Sequence, residues 1–172
     1  EVMDTEHTLF ARECAIDIPG PEVELIADKI ARPHGVYVMA QAKARHEEIP
    51  DRYFNVGFIL DPQGNVILKH YKVAPLYPVE HSVCPHDIYD WWIDRYGDNL
   101  DAFWPVAHTE IGSMGIMMAN EGSYPENARA LALNGAEIVY RASIPHPAAS
   151  NEYFEISTRA RALDNNFYVV AP

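Results

Sequence analysis

IGSMGIMMANEGSYPENARALALNGAEIVYRAS, residues 111–143, is the stretch on which the fold turns. IGSMGIMMA (111–119) is a short apolar run and reads as a strand. YPENARALALNGA (124–136) reads as a helix, with Pro125 suited to its first turn and Gly135 to its end. EIVYRAS (137–143) reads as a second strand. Beyond it, NEYFEISTRARALDNN (151–166) has the look of a helix and FYVVAP (167–172) of a strand beginning. Strands alternating with helices over short links predict an α/β layer. The chain stops inside that last strand and starts as abruptly, so residues 1–172 are expected to be a partial domain, truncated at both ends.

Working back towards the start, residues 73–104 are rich in proline and aromatics, with one short helix candidate, DIYDWWIDRY. Connections of that length are usually functional or part of an interface, and the tryptophan-rich part (88–104) is expected to pack as interface or loop. Before it, YFNVGFIL (53–60) and NVILKHYK (65–72) flank the turn DPQG and predict a β-hairpin. RHEEIPDR reads as a charged loop and GVYVMAQAKA (35–44) as a buried strand. From Glu22 to Ile30, Val23, Ile26, Ala27 and Ile30 recur at helical spacing, and Gly35 closes that helix. Residues 1–19 alternate only weakly, and IPGPE (18–22) is a turn.

Composition excludes several classes of function. Nearly half of the 172 residues are apolar, enough to build a core. Thirteen basic residues against 25 acidic ones give a net charge of −12, which disfavours nucleic acid and anionic lipid as partners. No apolar run approaches the roughly 18 residues a membrane-spanning helix needs. Two isolated cysteines, Cys14 and Cys84, do not make a disulfide framework and point to the cytoplasm. His81, Cys84 and His86 lie close together, but without a fourth ligand or a usual spacing they read as a polar loop, and no metal or cofactor is expected.

Two constellations could carry chemistry. In MMANEGSYPENAR (117–129) a buried strand runs into a tight turn and then a helix, which exposes a residue beside free backbone N–H groups. Enzymes of the α/β class often mount a nucleophile and an oxyanion hole in such a place. On geometry alone it is more often an ordinary connection. In HYKVAPLYPVE (70–80), Lys72 at a strand end is followed by Glu80, so an ammonium could stabilise developing negative charge with a carboxylate orienting it. Taken alone, such a pair is more often a solvated ion pair worth little.

Together these stretches resemble the nitrilase superfamily of carbon–nitrogen hydrolases, and most of all its aliphatic amidase and formamidase branch. HYKVAPLYPVE is similar to the family's lysine motif, and ANEGSYPENAR to its nucleophile motif C-[DN]-[DE]-G-x-Y-P-E with an arginine three residues on. ALALNGAEIVYRAS and RARALDNNFYVV resemble the segments that follow, and residues 45–72 resemble the charged loop and hairpin leading into the lysine. The resemblance implies an α-β-β-α sandwich, hydrolysis of a carbon–nitrogen bond in a small amide or nitrile, and a homo-oligomer. It implies a cysteine thiolate that attacks the substrate carbon, a general-base glutamate, a lysine and the backbone N–H after the cysteine for the tetrahedral intermediate, and a second glutamate.

Carried over position by position, Lys72 takes the lysine place, Glu80 that of the second glutamate and Ala119 that of the cysteine. Asn120 supplies the backbone donor, Glu121 follows it, Glu126 and Arg129 match a structural pair on the helix, and Ser143 falls where the family lines its acyl pocket. A methyl group cannot attack carbon, and residues 1–20 hold no segment of the kind that carries the base glutamate. The chain as written is therefore expected not to hydrolyse amides, and a non-catalytic protein of the same fold, binding a ligand or assembling, is the alternative. Lys72 and Ala119 are expected to serve one pocket from the C-terminal ends of their strands.

Overall fold

A computed structural model describes residues 2–76, 78–143 and 151–172. The chain forms two compact units, Glu1–Asp87 and Ile88–Pro172.

The first unit is built on a three-stranded antiparallel sheet in the order β1-β2-β3, with β1 at Val38–His46, β2 at Ile49–Leu60 and β3 at Val66–Tyr71. The β2–β3 hairpin expected around DPQG is present. Asp61 Oδ1 accepts the N–H groups of Gln63 and Asn65 at 2.9 and 2.8 Å, and Gly64 takes the positive φ of +85° that the turn demands. RHEEIPDR is not a loop. The chain reverses over Glu47 and Glu48, with His46 paired to Ile49, and most of the charged stretch lies in strands. Glu47, Glu48 and Asp51 are exposed and Arg45 and Arg52 half-buried, a charged hairpin end that composition alone cannot distinguish from a loop. β1 is also half-buried rather than buried, because it is an edge of this sheet.

The weakly alternating start of the chain is largely helical. Val2–Glu13 is a helix, α1, whose Ala11 is fully buried and whose His7 and Phe10 rings lie 4.2 and 4.5 Å from the Tyr53 ring. Packing onto β2 stabilises a segment whose own pattern is weak. The second helical stretch comprises α2 (Pro21–Ile26), a π-turn (Ala27–Ala31) and α3 (Arg32–His34), and ends at Gly35 in the left-handed region, φ +61°. Val23, Ala27 and Ala31 are its buried stripe, whereas Ile30 is 45% exposed: the π-turn shifts the phase of the face.

The second unit carries a four-stranded sheet, β4-β5-β6-β7. Two helices, α4 (Tyr89–Tyr96) and α5 (Leu100–Phe103), precede β4 (Val106–Thr109), a strand with no periodic signal of its own, which pairs antiparallel with β5 (Gly112–Ile116). From β5 the chain follows the α/β pattern expected: α6 (Pro125–Leu133), β6 (Ile138–Tyr140), α7 (Asn151–Asn165) and β7 (Tyr168–Val170), with β5, β6 and β7 parallel. Met117, Ala128, Leu131, Ala136, Val139 and Phe167 form the core between α6 and the sheet. A side chain on Gly115 would stand 2.9 Å from a Leu131 methyl, so glycine is what lets α6 approach β5. Burying a leucine or valine this way contributes about 1.5–3 kcal/mol each.

Candidate active site

In the second unit β5 stops at Ile116, three residues short of the strand read from sequence, and Ala119–Ser123 is a 3₁₀ turn. The reason is at Ala119, which has φ +47°. An L-residue other than glycine pays roughly 1–2 kcal/mol for the left-handed region, so neighbouring groups must hold it there. The Ala119 N–H donates to the Ala142 carbonyl at 2.7 Å. The Ala119 carbonyl accepts from Arg141 Nε and Nη2 at 3.3 and 3.1 Å. The Glu121 carboxylate, 1% exposed, turns back to accept the Met118 N–H at 2.6 Å. Asn127 Nδ2 donates to the Glu121 carbonyl at 3.1 Å and is itself fixed by Trp104 Nε1 at 2.9 Å. Glu121 thus braces the turn from within. Asn120 Oδ1 is buried and has no hydrogen-bond partner among the described residues.

Ser143 is partly buried just after β6. Arg129 donates to the Asp164 carbonyl at 2.9 Å, tying α6 to the end of α7. Beside it, Glu126, Arg129, Arg161, Asp164 and Asn165 line an open groove of about 230 Å³.

In the first unit Lys72 follows β3 directly, and its Nζ donates to Glu80 Oε2 at 2.5 Å. This is no solvated ion pair: the Lys72 side chain is 3% exposed and that of Glu80 13%. Glu80 Oε1 accepts from Asn55 Nδ2 at 2.6 Å, Ser82 Oγ at 2.9 Å and Lys43 Nζ at 3.0 Å. Gln41 Nε2 in turn fixes Asn55 Oδ1 at 2.7 Å. Burial pushes the Glu80 carboxyl up, but the hydrogen bond and charge of Lys72, the hydrogen bond of Asn55 and the charge of Lys43 outweigh it and hold it at about 2. Glu80 is therefore a fixed anion that orients the Lys72 ammonium.

Sequence reasoning missed Asn55, Ser82 and Lys43. The signal was there: Asn55 interrupts the apolar run of β2, and Lys43 interrupts that of β1 directly opposite it, in register. Neither cysteine joins these groups. Cys14 is exposed at the end of α1, and the Cys84 thiol is pushed up to about 11 by burial and the Asp87 carboxylate.

A strand that ends in a strained, internally braced turn and a buried lysine held by a carboxylate are the two features singled out above as nucleophile and lysine motifs. The sequence model of the carbon–nitrogen hydrolase family matches residues 3–172. The chain belongs to the carbon–nitrogen hydrolase family. Within it the likeness is to the amidase and formamidase branch of the nitrilase superfamily. A formamidase of Bacillus cereus is 30% identical over 159 residues, 90% of this chain and 41% of the relative. The chain thus spans about two fifths of the length of the curated relatives it matches. An amidase of Nesterenkonia sp. AN1, solved as a cysteine-to-alanine mutant in complex with butyramide, has the same fold with TM-score 0.66 and 19% identity, over 95% of this chain and 56% of that one. Saccharomyces cerevisiae Nit3, a member of branch 10 of the nitrilase superfamily, superposes with TM-score 0.69 at 19% identity over 98% of this chain and 56% of that one. The two sheets flanked by helices are accordingly the fold class of the nitrilase superfamily.

Proposed function

We propose that this chain is the amide-recognising part of a carbon–nitrogen hydrolase centre from which the covalent step has been removed, so that it binds a small amide without cleaving it. By their motif positions, Lys72, oriented by Glu80, and the backbone N–H of Asn120 take the parts of the family's donors to an amide oxygen, and Ser143 that of an acyl-pocket residue. Preorganised donors aimed at such an oxygen are worth about 3–4 kcal/mol each in enzymes that use them. In the family a thiolate at position 119 would attack the carbonyl carbon, the oxygen would take the negative charge, and the amine would leave with a proton from the base glutamate. Ala119 offers a methyl group in place of the thiolate, so the bound amide keeps its carbon–nitrogen bond.

The observation that carries the reading is the conformation of Ala119. Nothing in an alanine asks for φ +47°, yet the Ala142 carbonyl, the Arg141 guanidinium and the Glu121 carboxylate hold the turn there. A turn kept in that shape keeps its backbone donors aimed, which is what binding an amide oxygen requires. The butyramide complex of the cysteine-to-alanine Nesterenkonia amidase supports it: that fold binds an amide without the cysteine.

The test is Ala119→Cys. Ammonia release from formamide, acetamide and butyramide should be absent in the protein as it stands. It should appear in the variant when the base glutamate is present in the same polypeptide, and stay absent when residues 1–172 are used alone. Ammonia release by the unaltered chain would overturn the reading. The competing view, a binding or assembly protein that has left amides behind, gains if Ala119→Cys stays inert in a full-length protein that has the base.

A further inference from the structure

Arg141 is the largest fully buried side chain among the described residues of the second unit, 1% exposed, and no ion pair joins it to a carboxylate of those residues. Its acceptors among the described residues are neutral oxygens. They are the Ala119 carbonyl on Nε and Nη2, and Ser157 Oγ at 2.9 Å, Thr158 Oγ1 at 2.6 Å and the Phe154 carbonyl at 3.3 Å on Nη1. Its flat face lies 4.3 Å from the centre of the Phe154 ring. A buried cation without a counter-charge is costly to keep, and α7 and the sheet would pack more cheaply around an apolar side chain.

The backbone is also shaped to admit it. A Cβ on Gly122 would stand 2.2 Å from Arg141 Nε and 2.3 Å from Cζ, so glycine is what lets the guanidinium reach beneath the turn. Arg161 comes to the same place, its Nε donating to the Gly122 carbonyl at 3.2 Å.

We propose that Arg141 is a positioning residue for position 119: its guanidinium keeps the 119–122 turn wound and fixes a positive charge beneath whatever group or ligand atom position 119 presents. Burial lowers the guanidinium, Tyr153 opposes it and Arg161 adds a lesser push downward, bringing it only to about 10, so the charge persists at neutral pH. The other charged groups around the turn are Glu121 on the Met118 N–H, and Arg161 with its partner Asp164 at 3.5 Å. Among the described residues, Arg141 is the cation that hydrogen-bonds residue 119 itself. The inference rests on reading position 119 as the nucleophile position, but its test needs no amide turnover, so the two fail separately.

The experiment places a thiol at the position, Ala119→Cys in a Cys14→Ser background, and follows iodoacetamide alkylation against pH. Cys84, buried with its thiol near 11, stays silent below pH 9. Arg141→Gln should raise the midpoint of the profile by about one pH unit and slow alkylation at pH 7 about tenfold. Arg141→Lys, which keeps the charge, should leave the midpoint near that of the parent. A merely structural role would lower thermal stability in both variants without moving the midpoint in either. If Arg141→Gln does not fold, Gly122→Ala decides, because it displaces the guanidinium without removing it. An unmoved or lowered midpoint in the folded Gln variant, or failing that in the Ala variant, overturns the proposal.

Discussion

Replacing Glu80 by glutamine removes the carboxylate on which Lys72, Lys43, Asn55 and Ser82 converge. The folded-state ionisation of Glu80 lies at about 2 against the ordinary 4.5. Because the folded value is the lower one, the stabilisation is fully present above about pH 4.5 and is lost as pH falls through 2. The difference corresponds to on the order of 3 kcal/mol. Glutamine forfeits it at every pH and leaves the Lys72 ammonium, 3% exposed, without a counter-charge, a loss of about 3–5 kcal/mol when one member of a buried pair is removed. Urea denaturation of parent and Glu80→Gln at pH 7, 4 and 2 reads the effect. The variant should be weaker by about 3 kcal/mol at pH 7, and the gap should close between pH 4 and 2 as the parent's own carboxylate is protonated. A gap below about 1 kcal/mol at pH 7, or one of the same size at all three pH values, would refute the view of Glu80 as a fixed buried anion.

Gly122→Ala should destabilise the second unit by about 1–3 kcal/mol, since the new methyl meets the Arg141 guanidinium at 2.2–2.7 Å, and a thermal melt checks it. In native protein at pH 8, iodoacetamide followed by mass spectrometry should label exposed Cys14 and spare Cys84, whose thiol lies near 11; labelling of both at similar rates would contradict the buried environment of Cys84.

The parts of the fold that were legible in sequence are those with strong local chemistry. The β5-α6-β6-α7-β7 run announced itself through Pro125, Gly135 and alternating apolar segments, and the β2–β3 hairpin through its Asp-Pro-x-Gly turn. What stayed hidden was decided by tertiary contacts. α1 has little periodicity of its own and is held by Tyr53 and Ala11, and β4 is defined by pairing with β5. For the site, Lys72, Glu80 and Ala119 were legible as motif positions. The groups that fix them were not singled out: Lys43 and Asn55 come from β1 and β2, Ser82 from the loop beyond Glu80 and Arg141 from just after β6, and only the fold brings each to its partner. The Glu121 carboxylate accepts the Met118 backbone N–H, where it shapes the turn. Only the structure shows that Ala119 sits at positive φ.

The most direct test of amide recognition without cleavage is a calorimetric titration of the protein with butyramide, which reads binding and turnover in one trace. The titration should give saturable heats that return to baseline after each injection and that vanish in Lys72→Met. A steady heat flow that persists while amide remains, accompanied by ammonia, or the absence of any saturable heat, would contradict amide recognition without cleavage.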